Sequence, residues 1–251
     1  MFDLWVFSAL SPFLAMLLYF INRERKIVAY YINRIGQRSH AFISSSMRET
    51  YNASVRTQKQ DLFNKMAQHR QFKKSRVLEI GTGSGANLEF IPNQMEVSLI
   101  ALEPNRFCKA YLEENLTKHQ HVNLEHYSTC AAEAMKDIVS NSVDCAVSTL
   151  VLCSVIDQDM VLKEIYRVLK PGGQFYFMEH VEASDGTIMN KIQKFLNPLN
   201  RILLDGCNVT RETISCVQNM PFREVHYERF NAKLEYVCAM FRPHITGFAV
   251  K

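Results

Sequence analysis

The chain of 251 residues is 47% hydrophobic and 22% charged, the balance of one α/β domain with a real core plus a tail. Its net charge of +4 is unevenly spread: Asn22 to Arg76 holds 13 Lys/Arg against 3 Asp/Glu, and Val77 to Lys251 holds 16 against 21. A basic stretch ahead of a mildly acidic domain, with no arginine-rich helix or aromatic stacking platform, points to anionic lipid and away from nucleic acid.

In chain order, the first element is apolar. Phe2 to Ile21 is 20 residues long, with Asp3 as its one charge. At 1.5 Å per residue it reaches about 30 Å, the hydrocarbon thickness of a bilayer. Asn22-Arg23-Glu24-Arg25-Lys26 adds three cations at its C-terminal flank. The positive-inside rule then leaves the rest of the chain in the cytosol. A cleaved secretory signal would carry its basic residues ahead of the apolar run and a small-residue exit behind it, the reverse of this order. Residues 1–26 are therefore expected to form a membrane anchor. It either spans the bilayer or, given Pro12 with Ser8 and Ser11, enters one leaflet. Residues 27–76 read as a basic amphipathic helical segment. Ile27 to Arg38 has helical apolar spacing and a basic face, which suits the membrane interface or packing on the domain. Val55, Leu62, Phe63 and Met66 fit one or two helices that cap the domain to follow.

The most informative stretch is Val77-Leu78-Glu79-Ile80-Gly81-Thr82-Gly83-Ser84-Gly85. An apolar run meets three glycines at alternate positions, the pattern of a buried strand turning sharply into a helix. Glycine there keeps side chains from blocking a ligand's approach to the backbone. The spacing is G-x-G-x-G, not the G-x-G-x-x-G of dinucleotide binding. The ligand inferred is S-adenosylmethionine, with its amino-acid end over the turn. Alone, the triplet also fits any strand-to-helix turn in an α/β protein. A second apolar run, Val97 to Leu102, ends in Glu103, 18 positions after Gly85. An acid at that place accepts hydrogen bonds from ribose hydroxyls; the bland alternative is a solvated strand end.

Further strands are expected near Leu124–Tyr127, Val143–Leu150 and Gln174–His180. Helices are expected near Ala86–Phe90, Arg106–His119, Met135–Ile138 and Gln158–Leu169. The alternation implies a parallel sheet covered on both faces, with ligands at the C-terminal strand ends. The tail departs from it. Met189–Leu204 reads as a helix interrupted at Pro198, and Thr210 or Arg211 opens another that runs to about Gln218. Phe222–Phe230 and Ile245–Val250 read as an antiparallel closing pair. The seven cysteines are odd in number and form no C-x-x-C pair. Neither a disulfide framework nor a zinc site is indicated, and a reducing compartment follows. Cys153 and Cys207 read as packing residues.

Together, residues 77 to about 180 resemble the class I methyltransferases. Thr149-Leu150-Val151-Leu152-Cys153-Ser154-Val155, Glu179-His180-Val181, Asp205-Gly206-Cys207 with Thr210-Arg211-Glu212-Thr213, and Pro243-His244-Ile245 look like the membrane-anchored alkyl thiol S-methyltransferases of endoplasmic reticulum and lipid droplets. The resemblance implies a Rossmann-like α/β domain over 77–251. That domain has a mostly parallel seven-stranded sheet, helices on both faces and an antiparallel C-terminal strand, preceded by the N-terminal membrane helix. It also implies S-adenosylmethionine as cofactor, a small apolar thiol as acceptor, no metal, and a catalytic domain facing the cytosol.

The expected cofactor contacts are Glu79, Gly81, Thr82, Gly83, Gly85, Glu103, Pro104, Ala132, Glu133 and Leu150. Glu133 follows the third strand, where adenine recognition falls; a helix-start acid is its alternative reading. Leu150 ends the fourth strand beside the reacting methyl. His180 ends the fifth strand and is the candidate base or orienting group; a structural histidine beside Glu179 is the alternative. Arg211 and Glu212 read as an internal salt bridge ahead of acceptor-side groups. The family's turn commonly reads G-C-G-T-G, and here Thr82 and Ser84 replace the Cys and Thr. Its ribose acid is usually Asp, and here it is Glu103. Two other functions fit less closely: methyl transfer to another lipophilic oxygen, nitrogen or carbon acceptor such as a lipid or quinone, and a non-enzymatic lipid-droplet adaptor. The intact turn together with Glu103 argues against the adaptor.

Overall fold

The apolar stretches that begin at Val77, Val97 and Val143 form the middle of a seven-stranded sheet. The computed structural model describes residues 34–42, 44–71, 73–234 and 236–251. The expected anchor, Phe2 to Ile21, and Ile27 to Asn33 lie outside them. No helix among the described residues is long and apolar enough to cross a membrane. Residues 34–40 are helical and belong to a unit ending at His40; Ala41–Lys251 form the second unit, described from here on.

Its helices are α1 (44–54), α2 (Arg56–His69), α3 (Cys108–Leu116), α4 (Gln158–Val168), α5 (Ile188–Leu203) and α6 (Thr213–Gln218). Its strands are β1 (Ser75–Ile80), β2 (Val97–Leu102), β3 (Val122–Ser128), β4 (Val143–Thr149), β5 (Leu169–His180), β6 (Glu224–Asn231) and β7 (Pro243–Val250). The sheet order is β3-β2-β1-β4-β5-β7-β6. The first five strands pair in parallel, and β7 runs antiparallel to both β5 and β6. This is the mostly parallel sheet with an antiparallel ending that the resemblance implies.

Strand side chains alternate between faces, so each central strand feeds two cores. On one face Leu78, Ile80, Ile100, Leu102, Phe175 and Phe177 pack with residues of α4 and α6. On the other, Val77, Leu99, Ala101, Tyr176 and Met178 pack with Leu62, Phe63, Met66 and Ala67 of α2 and Leu112 of α3. The sequence boundary at Val77 therefore cuts through a core: α1 and α2 lie in the same compact unit as the sheet.

Three local expectations change. Met135–Ile138 is a run of turns, not a helix. Its backbone is satisfied from α4 instead, because the Met135 amide donates to Glu164 and Arg167 donates to the Met135 and Ile138 carbonyls. Ala86–Phe90 shortens to turns and one 3-10 turn, Leu88–Phe90. Pro198 does not interrupt α5, which runs through it. Pro198 is exposed, so the carbonyl it leaves without a helical donor is on the outer side of the helix.

Candidate active site

The glycine turn is stitched to the end of β2. The amides of Gly81 and Thr82 donate to the Leu102 carbonyl at 2.7 and 3.4 Å, and the Gly83 amide donates to Glu103 Oε2 at 2.9 Å. Glu103 Oε1 accepts the Asn105 amide at 2.8 Å. One carboxylate thus bridges the turn and the chain entering α3. All three glycines adopt positive φ, yet they serve different ends. A Cβ on Gly81 would overlap Val151, and one on Gly85 would sit 2.8 Å from Leu88 and 2.9 Å from Leu112. Those two are required by the protein's own packing. At Gly83 a Cβ would meet only the Gly81 carbonyl, at 3.9 Å. Gly83 alone leaves its outer side open, as a ligand lying on the backbone requires.

Glu79 is the second acid at this turn. It is buried, and Asn87 Nδ2 donates to its Oε1 at 2.7 Å and to Thr149 Oγ1 at 2.9 Å. Burial raises the Glu79 carboxyl to about 7, against the lowering effect of Asn87 and the Lys59 cation; the charge of Glu103 adds to the rise. Lys59 is itself buried, which lowers its ammonium to about 8. It donates to Asn52 Oδ1 at 2.8 Å, and Asn52 donates to the Ala86 carbonyl and to Glu89. α1 is thereby bound to the turn by buried polar bonds. Asn87 Oδ1 is buried with no partner among the described residues. An unfilled acceptor beside a carboxylate suits the ammonium of a methionine moiety.

The other expected contacts spread along the same sheet edge. Thr82 is buried, with its hydroxyl donating to the Glu79 carbonyl at 3.0 Å. Pro104 is exposed just past Glu103, and Ala132 is buried. Glu133 accepts the Ile156 and Asp157 amides at 2.7 and 3.4 Å, tying the loop after β3 to the one before α4. The helix expected at Met135–Ile138 does not form, so Glu133 begins no helix of its own and instead holds the chain entering α4. Leu150 holds φ at 59°, a left-handed conformation rare for a non-glycine residue, with its amide bonded to the Met178 carbonyl.

His180 is buried at the end of β5 and does not stand alone. Its Nε2 lies 3.1 Å from Cys207 Sγ, and its Nδ1 has no partner among the described residues. Cys153, His180 and Cys207 place their donor atoms within 4.8 Å of one another, a three-donor set of the kind that can hold a soft cation. Hydrogen bonding with Cys153, and then with His180, holds the Cys207 thiol below its usual range, and Cys153 is pushed up. Both cysteines pack in an apolar cluster with Val209 and Met240, as expected, and in addition they adjoin the His180 ring. Glu179 next door is fully buried. Its Oε1 accepts the Ser148 hydroxyl and the Val151 amide, its Oε2 has no partner among the described residues, and burial raises its carboxyl.

Two further groups face this region. His244 Nδ1 lies 3.0 Å from the Arg242 carbonyl and so carries the proton, which makes Nε2 the acceptor for the Tyr51 hydroxyl at 2.9 Å. Burial lowers His244 to about 4, so its ring is neutral near pH 7. The His180 and His244 ring centres are 6.3 Å apart. Sequence reasoning missed Tyr51 because it lies ahead of the glycine turn, and no spacing links it to His244. Arg211 and Glu212 do not pair. Arg211 donates to the Leu152 and Val155 carbonyls at 2.5 and 2.6 Å, and Glu212 pairs with Arg229.

This sheet order, with a glycine turn bridged to an acid at the end of β2, defines a class I S-adenosylmethionine-dependent methyltransferase. A family model described as a methyltransferase domain matches residues 51–244. The chain is 38% identical to the Homo sapiens thiol S-methyltransferase TMT1A over 202 residues, 80% of this chain and 81% of that one. It is 37% identical to the Rattus norvegicus thiol S-methyltransferase TMT1B over 175 residues, 70% of each. The fold is also that of a putative sarcosine dimethylglycine methyltransferase from Galdieria sulphuraria, with a TM-score of 0.58 at 16% identity over 78% of this chain and 86% of that one. The chain belongs to the thiol S-methyltransferase family.

The unequal roles of the glycines predict unequal costs. Gly83→Ala is expected to lose about 1–2 kcal/mol from its left-handed backbone alone. Gly81→Ala carries that cost plus the overlap with Val151, so chemical denaturation should rank Gly81→Ala clearly below Gly83→Ala. Equal midpoints would contradict the assigned packing.

Proposed function

We propose that the protein transfers the methyl group of S-adenosylmethionine to the sulfur of small apolar thiols. The observation that carries this reading is the pairing of two features at the C-terminal ends of the parallel strands: the open turn at Gly83 between Glu79 and Glu103, and the buried imidazole of His180 at the end of β5. Kinship with thiol S-methyltransferases of the same length supports the acceptor class.

The chemistry supplied by the bound cofactor is an electrophilic methyl on a sulfonium. The chain's residues bind and orient. Glu79 and Asn87 Oδ1 accept from the amino-acid ammonium, and the Glu103 carboxylate accepts from the ribose hydroxyls. Gly83 leaves room over the turn, with Gly81, Thr82 and Gly85 shaping it. Pro104, Ala132 and Glu133 border the adenine side. Leu150, held in its strained conformation, walls the reacting end. His180 takes the proton of the acceptor thiol, because the thiolate is the nucleophile. In-line positioning supplies the remainder.

The protein works at the membranes of endoplasmic reticulum and lipid droplets, its catalytic domain facing the cytosol and held by Phe2 to Ile21. Apolar thiols partition into lipid, so attachment brings the site to a concentrated acceptor.

Two outcomes test this. Below about 7 the free protein holds Glu79 protonated, and a cationic amino acid favours the ionised form. The Kd for S-adenosylmethionine should therefore rise as pH falls below that value, by up to about tenfold per unit, and Glu79→Gln should weaken binding and flatten the profile. A Kd constant from acid to alkaline pH in the unaltered protein would contradict the role of Glu79. With labelled donor, alkyl thiols should be methylated while phenols and amines are not. His180→Ala should lower kcat by about 10²–10⁴ with little change in cofactor affinity. Unchanged kcat would remove His180 from the reaction, and preference for a phenol or amine would overturn the acceptor.

A further inference from the structure

α5 is amphipathic in the inverted sense. Its inward side is polar: Asn190, Gln193 and Asn200 are all buried. Each is bonded to the protein beneath. Asn190 donates to Glu182 and to the Ala183 carbonyl. Gln193 donates to the Val181 and Met240 carbonyls and accepts the Ala183 amide. Asn200 donates to the Cys207 carbonyl, and half-buried Asn197 accepts the Val209 amide. The outward side is apolar. Ile188, Phe195 and Ile202 are 77%, 84% and 80% exposed, and Ile192 and Leu199 lie between them at 39% and 54%. With 3.6 residues per turn, these five fall within an arc of about 80°.

A surface helix in water has the opposite arrangement. α5 cannot roll over to hide its stripe, because doing so would strand the bonded amides beneath it. The stripe is a contiguous patch of large apolar side chains, the kind of surface that marks an interaction. Its occupant is argued from charge. α5 carries Lys191, Lys194 and Arg201 and no acid; Lys194 also pairs with Glu182 and Asp185. The chain's own N-terminal apolar run is followed by Arg23, Arg25 and Lys26, so it would bring cations to cations. A second copy of α5 would do the same. An anionic lipid surface matches both the stripe and its flanks.

We propose that the outward face of α5 lies in the boundary between headgroups and acyl chains of an anionic membrane, as an attachment separate from Phe2 to Ile21. The inner flank of the same helix, through Met189 and Leu196, packs on the cluster of Cys153, Cys207, Val209 and Met240. α5 then forms one wall between lipid and the neighbourhood of His180, the side from which an apolar acceptor arrives. The proposal deepens the membrane reading given above, but its test requires no methyl transfer.

The test uses the full chain with a single tryptophan, Phe195→Trp in a Trp5→Phe background, on phosphatidylcholine–phosphatidylserine vesicles with and without acyl-chain bromination. A control carries Val139→Trp, an apolar position 70% exposed ahead of the N-terminal end of β4, whereas α5 follows the C-terminal end of the parallel strand β5. Brominated lipid should remove about half or more of the Phe195→Trp emission and leave the Val139→Trp emission unchanged. Phe195→Trp emission as insensitive to bromination as the control would overturn the proposal. A concentration-dependent blue shift without quenching would overturn it in favour of self-association. Loss of methyl transfer to a water-soluble thiol, with quenching intact, would count against the proposed reaction and not against this surface.

Discussion

One carboxylate organises the cofactor edge. Glu103 holds the Gly83 amide with one oxygen and the Asn105 amide with the other. It fixes the turn after β1 relative to the start of α3 and places a carboxyl group beside the open backbone. Everything assigned to the cofactor is positioned against that bridge. Gly81 and Gly85 let the turn pack down on Val151, Leu88 and Leu112, and Gly83 faces out.

The two ends of the site use burial differently. Glu79 is raised by burial but keeps Asn87 and Lys59 close, so a cationic ligand can draw it into the ionised form. Glu179 is raised by the same cause and is bonded to Ser148 and Val151, where it shapes the loop after β4. Between them Leu150 turns through a left-handed conformation that the Met178 carbonyl and the flanking loop hold in place. Beyond them His180 and Cys207 share a hydrogen bond in an apolar shell with Phe241 and Met240. The acids Glu79 and Glu103 thus lie at the turn and the His180–Cys207 pair beyond it, the division on which the proposed methyl transfer to a thiol draws.

Much of this was legible in the chain, for identifiable reasons. β1, β2 and β4 are predominantly apolar stretches bounded by turn residues, so local composition was enough. The turn and Glu103 could be found because their bonding partner lies one strand away, at a spacing set by a β-α-β unit. What escaped was long-range. The Tyr51–His244 bond joins residues 193 positions apart, and Cys153, His180 and Cys207 come from three separate loops and strand ends. Met135–Ile138 looked helical, yet Glu164 and Arg167 satisfied its backbone from another helix. The period of α5 was readable, but its sidedness was not: only the fold shows that the asparagine and glutamine face goes inward.

The central claim is that S-adenosylmethionine lies against the bare backbone at Gly83, between Glu79 and Glu103. Calorimetric titration of that compound onto Gly83→Val tests it most directly, with circular dichroism confirming the fold. The account predicts saturable binding to the unaltered protein and its loss in the variant, whose side chain fills the open side of the turn. Affinity in Gly83→Val equal to that of the unaltered protein would contradict it.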